Sequence, residues 1–122
     1  MQNKKILLVD DELDMAEMVK LRLEANGYTV AIAVDGQQAF DMARESLPDL
    51  IVLDIMLPKI DGYQVCRMLK SDEKYKNIPI IIFSARVQDP KFIYDELGAN
   101  GYIPKPFDPK KLLDMIKELL KE

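Results

Sequence analysis

Histidine is absent from this chain, and cysteine occurs once, as Cys66. The first absence excludes imidazole metal ligands, catalytic triads built on histidine, and any phosphohistidine made on this chain. The second excludes an internal disulfide and suits a reducing compartment. With no histidine to activate it, the Cys66 thiol reads as a helix packing residue rather than a nucleophile. No apolar run approaches the roughly 18 residues needed to span a membrane, and the start from Met1 to Lys5 leads into only four apolar residues before two aspartates, so no signal peptide is expected. The chain is therefore expected to be cytoplasmic. There is no polybasic run, and the net charge is −4. Both argue against direct nucleic-acid binding through an electrostatic footprint and against binding to a membrane surface.

What is present is a chain of 122 residues, 48% hydrophobic and 31% charged, suited to one soluble globular domain across residues 1–122 with a substantial core. No linker, repeat or output domain is expected within it. Short apolar runs alternate with longer helix-like segments, the pattern of buried parallel strands joined by crossover helices. The first strand is predicted from Lys5 to Val9. A helix follows from about Asp14 to Asn26, with Met15, Met18, Val19 and Leu23 as its apolar stripe and Gly27 as its stop. Thr29 to Ala33 is the second strand. The next helix starts at Asp35-Gly36, carries Ala39, Phe40 and Ala43 inward, and ends before Pro48.

Leu50 to Leu53 is the third and most hydrophobic strand. A helix after Gly62 carries Val65, Cys66 and Leu69 on one side, and Ser71 to Asn77 is its exit loop. Pro79 opens the fourth strand, which runs through Phe83. A helix from about Pro90 to Leu97 stops at Gly98. The fifth strand is short, near Gly101 to Ile103, and the last helix begins at Asp108-Pro109 and buries Leu112, Leu113, Ile116, Leu119 and Leu120. The result is a doubly wound α/β fold with a five-stranded parallel sheet and helices on both faces.

A parallel sheet sends the carboxyl ends of all its strands to one edge. Asp10, Asp11, Asp54 and Ser84 each sit just past an apolar strand, and Lys105 follows Tyr102 and Ile103. Three carboxylates, a hydroxyl and an ammonium on one edge suit a metal and phosphate site. Each residue also has an ordinary reading. Asp10 or Asp11 suits an N-cap for the first helix, Asp54 a cap at the end of its strand, Ser84 a turn, Lys105 a solvated surface position, and Tyr102 a half-buried strand aromatic.

Four motifs in order carry a family resemblance: Val9-Asp10-Asp11-Glu12; Leu53-Asp54-Ile55-Met56-Leu57-Pro58 with Asp61-Gly62; Ser84-Ala85; and Tyr102-Ile103-Pro104-Lys105-Pro106-Phe107. Over essentially its whole length the chain resembles the receiver domain of two-component response regulators. The resemblance implies the flavodoxin-like, CheY-like (βα)5 fold with strand order 2-1-3-4-5. It implies Asp54 as phosphoacceptor. Asp10, Asp11, Asp54 and the main-chain carbonyl of Met56 are implied as ligands of Mg²⁺, for which Mn²⁺ can substitute. Ser84 and Lys105 are implied to bind the phosphoryl group, Tyr102 to switch rotamer on activation, and the peptide before Pro106 to be cis.

The chemistry agrees with these roles. Strands are about 4.8 Å apart, so the implied order centres Asp54 and leaves a gap of about 10 Å for the Lys105 stem to cross. Clustered carboxylates repel, and a hard divalent cation relieves the repulsion while keeping water sites for phosphate oxygens. Attack of a carboxylate on a phosphoryl group needs that charge neutralised. Lysine supplies a compact cation and serine a neutral donor. The product is an aspartyl phosphate that water later hydrolyses.

The resemblance implies a sensor histidine kinase or histidine phosphotransfer protein as donor. It also implies an output partner, whose identity is unknown, on the face made by the fourth helix, fifth strand and fifth helix, where Phe92, Tyr94 and Met115 are either exposed contacts or core. Asn100-Gly101 stands where receivers fused to winged-helix domains often carry acidic residues, so the expectation is a monomer or a weak phosphorylation-dependent dimer. Met56 and Arg86 occupy the positions that tune hydrolysis in this family, and a phosphorylated state lasting minutes or longer is expected. The chain is read as a phosphoacceptor rather than an enzyme. A haloacid-dehalogenase-type phosphatase needs an acid where Met56 stands. A flavodoxin-type carrier needs a neutral phosphate cradle where Asp10-Asp11-Glu12 stands. A phosphorylation-independent interaction module is the remaining alternative.

Overall fold

The computed structural model describes residues 3–84, 89–106 and 108–122. Strands β1 (Lys5–Val9), β2 (Thr29–Ala33), β3 (Leu50–Asp54), β4 (Ile80–Ser84) and β5 (Gly101–Pro104) alternate with helices α1 (Leu13–Glu24), α2 (Gly36–Ser46), α3 (Gly62–Lys70), α4 (Pro90–Asp95) and α5 (Pro109–Leu120). All strand pairs are parallel, in the order β2-β1-β3-β4-β5. The expected sheet is the one observed.

Strand alternation divides the core. Leu7, Val9, Ile51, Leu53, Ile80 and Ile82 project to one face, where Ala39, Ala43, Val65, Leu69 and Ile93 from α2, α3 and α4 cover them. Ile6, Leu8, Leu50, Val52, Ile81 and Phe83 project to the other, against Ala16, Leu23, Leu112 and Ile116 from α1 and α5. Because both faces are covered, β1, β3 and β4 read as continuous apolar runs. Of the last helix, Leu112 and Ile116 are buried, while Leu113, Leu119 and Leu120 pack at the margin.

Aspartates start four of the five helices. Asp35, Asp61, Asp89 and Asp108 accept hydrogen bonds from the main-chain N–H of Gln38, Gln64, Lys91 and Lys110, contacts typically worth about 1 kcal/mol each. The start of α1 is different: its cap residue is Glu12, whose side chain makes no capping bond. The capping alternative for Asp10 and Asp11 is therefore not realised.

Two helix predictions need correction. Met18 is 71% exposed, and the inward position belongs to Ala16. At 100° per residue Met18 lies about 200° round the helix from Ala16, while Val19 and Leu23 fall beside Ala16. The fourth helix closes at Asp95 rather than Leu97. The chain turns there through Gly98 at φ +74°, although Leu97 remains buried. β3 and β4 each run one residue further than predicted, which places Asp54 and Ser84 inside the sheet. Among the described residues no helix is long and apolar enough to cross a membrane.

Candidate functional site

The register decides which side chains meet. Val9 pairs with Leu53 and Asp54 with Phe83, so Asp10, Asp54 and Ser84 end three adjacent central strands. All three are buried. Asp11 follows Asp10 directly but is exposed, at the rim. One carboxylate oxygen from each of Asp10, Asp11 and Asp54 lies within 4.8 Å of the others. The rim opens into a cleft of about 810 Å³, walled by Asp11, Glu12, Asp54, Met56, Tyr63, Ser84 and Lys105 among others.

Lys105 reaches across from the residue after β5. Its Nζ lies 2.9 Å from Asp54 Oδ2 and 3.2 Å from Asp10 Oδ2, and pairs with Glu12 Oε1 at 3.5 Å. It also stands 4.5 Å from the centroid of the Phe83 ring, a cation–π contact that supports the ammonium from below. The other oxygens of the two buried carboxylates are held by main chain: Asp10 Oδ1 accepts from Glu12 N at 2.9 Å, and Asp54 Oδ1 from Met56 N at 3.1 Å. These short turns fold residues 12 and 56 over the carboxylates. Gly62 closes the far end of the loop after Asp54. A Cβ there would collide with the Asp54 main-chain oxygen, so the start of α3 lies directly on the end of β3.

Burial pushes the Asp10 carboxyl above its usual range, against the Glu12 N–H and the Lys105 charge, which pull it down. For Lys105, burial pulls downward, but the hydrogen bond to Asp54 and the charges of Asp10 and Asp54 outweigh it and hold the ammonium above the usual lysine range. The site is thus a locked charge cluster.

The Ser84 main-chain oxygen accepts from Lys105 N at 3.2 Å and from the Tyr102 hydroxyl at 3.4 Å. Tyr102 is half-buried. The cis peptide between Lys105 and Pro106 is present. On the neighbouring face Phe92 is half-buried, its ring edge-on to Tyr63 at 5.5 Å, and Met115 is half-buried, while Tyr94 is 44% exposed. Arg86, Ala85 and Phe107 lie outside the described residues. Glu12 and Phe83, which complete the setting of Lys105, had no assigned role in the sequence reading. Glu12 was signalled only by its place beside Asp11, and Phe83 by its place before Ser84.

The donors fit a hard divalent cation: three carboxylates converge, two of them buried, with no soft or imidazole ligand among them. Asp10, Asp11 and Asp54 are the residues that would hold it.

Comparison with known proteins agrees. Residues 6–117 match the model of the response regulator receiver domain. The alkaline phosphatase synthesis transcriptional regulatory protein PhoP of Bacillus subtilis is 42% identical over 98% of this chain and 49% of its own length. The DNA-binding dual master transcriptional regulator RpaA of Synechocystis is 40% identical over 96% of this chain and 49% of its own. The chain thus spans about half the length of these curated relatives.

Among solved structures, a response regulator from Chloroflexus aurantiacus superposes with a TM-score of 0.90 at 35% identity, covering 99% of this chain and 100% of that one. The receiver domain of the sensor histidine kinase PA1611 of Pseudomonas aeruginosa superposes with a TM-score of 0.88 at 29% identity, covering 99% and 100%. That receiver holds a magnesium ion coordinated in its active-site cleft. The sheet, the edge cluster and these matches lead to one conclusion: the chain belongs to the response regulator receiver family and is a receiver of two-component signalling.

Proposed function

We propose that Asp54 accepts a phosphoryl group from a histidine kinase or histidine phosphotransfer protein, with Mg²⁺ held by Asp10, Asp11, Asp54 and the main-chain carbonyl of Met56. The observation that carries this reading is the single ammonium of Lys105 shared between Asp54 and Asp10 beside the exposed carboxylate of Asp11. The cation, when bound, supplies charge neutralisation for the transferring group.

The chain's own residues do the rest. An Asp54 carboxylate oxygen forms the new bond to phosphorus as the bond to the donor nitrogen breaks. Lys105 pairs with the incoming phosphoryl oxygens, and the Ser84 hydroxyl donates to one of them. Both remain bound to the product, an aspartyl phosphate hydrolysed later by water.

The phosphoryl group adds about two negative charges. Movement of Ser84 toward it alters the carbonyl to which the Tyr102 hydroxyl donates, linking the site to the face formed by α4, β5 and α5. A partner selecting that state is coupled reciprocally to phosphorylation. On this reading the chain is a cytoplasmic phosphoacceptor that assists its own chemistry and turns over no separate substrate. RpaA is named as DNA-binding, so the expectation that this chain does not itself touch nucleic acid rests on its charge alone.

The test is intact mass after incubation with Mg²⁺ and acetyl phosphate. A gain of about 80 Da, one phosphoryl group, is expected in the wild type and absent from Asp54→Ala and from EDTA-treated protein. A gain that survives Asp54→Ala refutes the assignment.

A further inference from the structure

The loop from Ile55 to Asp61 contributes to the wall of the cleft and contains Met56, and it is also held by residues that do not line the cleft. Gly36, the first residue of α2, donates its N–H to the Pro58 carbonyl at 3.3 Å. A Cβ on Gly36 would collide with the Ile60 carbonyl oxygen and crowd the Ile60 carbonyl carbon and Cβ. The collision is with main chain, which no side-chain rotation relieves, so only glycine allows this approach.

The preceding residue, Asp35, caps α2 through Oδ1, which accepts from Gln38 N at 2.7 Å. Its Oδ2 pairs with Lys59 Nζ at 3.5 Å. Lys59 stands at φ +67°, a left-handed conformation that a lysine adopts only where its surroundings impose it. The turn before α2 therefore holds the loop after β3 at three consecutive residues, Pro58, Lys59 and Ile60.

From this we infer that the Asp35-Gly36 turn is a positioning element for the cleft: it seats the Ile55–Asp61 loop and so sets the affinity of the carboxylate cluster for a divalent cation. The inference rests on the metal-binding reading of the cluster. Neither residue is placed at the reacting atoms. Their effect passes through the main chain from Pro58 back to Met56, whose N–H holds Asp54 Oδ1. Residues that orient metal ligands typically change affinity about 10- to 100-fold when altered.

The experiment compares wild type, Gly36→Ala and Asp35→Asn by three measurements: thermal unfolding in EDTA, amide spectra of the metal-free protein, and titration with Mn²⁺. The expected result for Gly36→Ala is cooperative unfolding, displaced amide signals of Met56 and Leu57 without metal, and Mn²⁺ affinity reduced about ten-fold. Asp35→Asn keeps a capping oxygen but loses the charge facing Lys59. It covers the case in which Gly36→Ala fails to fold, and shifts the same two amides with Mn²⁺ binding weakened only about two- to three-fold, the scale of one exposed ion pair.

A lowered unfolding temperature with unchanged Met56 and Leu57 amides and unchanged Mn²⁺ affinity overturns the inference and leaves the turn a purely structural one. If the wild type itself binds no Mn²⁺, the metal reading fails instead. The amide shifts of the metal-free variants then decide the positioning role separately: displaced signals uphold it and unmoved signals overturn it.

Discussion

Lys105 Nζ lies 2.9 Å from Asp54 Oδ2 and 3.2 Å from Asp10 Oδ2, so one cation is shared by two buried carboxylates from neighbouring strands. The pairing balances only part of the negative charge. Asp11 adds a third carboxylate at the rim, and a divalent cation would offset the remaining charge.

The imbalance gives the stability a definite pH dependence in metal-free protein. Burial raises the Asp10 carboxyl above its unfolded value, so the folded state binds the extra proton, and stability falls as pH rises through the range between the two values. Asp10→Asn removes that cost while keeping an oxygen for the Glu12 N–H. Because Lys105 keeps Asp54 as its partner, the change is expected to raise metal-free stability at neutral pH and to flatten this fall in urea melts. Lys105 contributes in the opposite range: its ammonium is raised, so its stabilisation is full below the ordinary lysine value and is lost as pH climbs above it. Lys105→Ala should remove that alkaline loss.

Asp11 separates the metal from the fold. Its side chain is exposed, so Asp11→Asn should change metal-free stability by no more than about 0.5 kcal/mol. Wild-type protein at a Mg²⁺ concentration 100 times the dissociation constant gains about 2.7 kcal/mol by linkage. Paired melts with Mg²⁺ and with EDTA should show this gain in the wild type and its near-complete loss in Asp11→Asn.

Gly62→Ala tests the contact between the start of α3 and the end of β3. The added methyl group meets the Asp54 main-chain oxygen, and overpacking of this kind costs about 1–3 kcal/mol. Urea denaturation should report a loss in that range. A variant as stable as the wild type would show that α3 can shift without consequence.

Cys66 is buried, and burial pushes its thiol up to about 11. The folded protein at pH 8 should therefore react with a disulfide reagent far more slowly than the urea-unfolded chain, in which the thiol has its ordinary reactivity. Equal rates would contradict its place in the core between α3 and the sheet.

Much of this was readable in advance because it rests on periodicity and local chemistry. The apolar runs ending at Val9, Leu53 and Phe83 are what strands buried on both faces require, and Asp35, Asp61 and Asp108 stand just before helical segments where capping oxygens are needed. The α1 stripe is ambiguous in sequence because Met15, Met18 and Val19 are all apolar. Which of them turns inward depends on the phase of the helix against β1 and α5, and Met18 falls outside the contact. The early end of α4 was hidden for a similar reason, since Leu97 is buried although it lies beyond the helix.

Residue spacing and side-chain chemistry suffice for the alternating strands and helices and for the types of group at the strand ends. Tertiary structure alone decided how those groups share their charges. Asp10 and Asp11 both lie just past β1, yet Asp10 is buried, with its N–H donating to the Ala33 carbonyl, while Asp11 is open to the cleft. Lys105 finds Asp54, Asp10 and Glu12 together only after β1, β3, β4 and β5 have aligned, and Gly36 meets Ile60 only when α2 has docked beside the loop after β3. Contacts between distant segments are set by strand register and by the fit of main chain against main chain, which spacing along one chain does not encode.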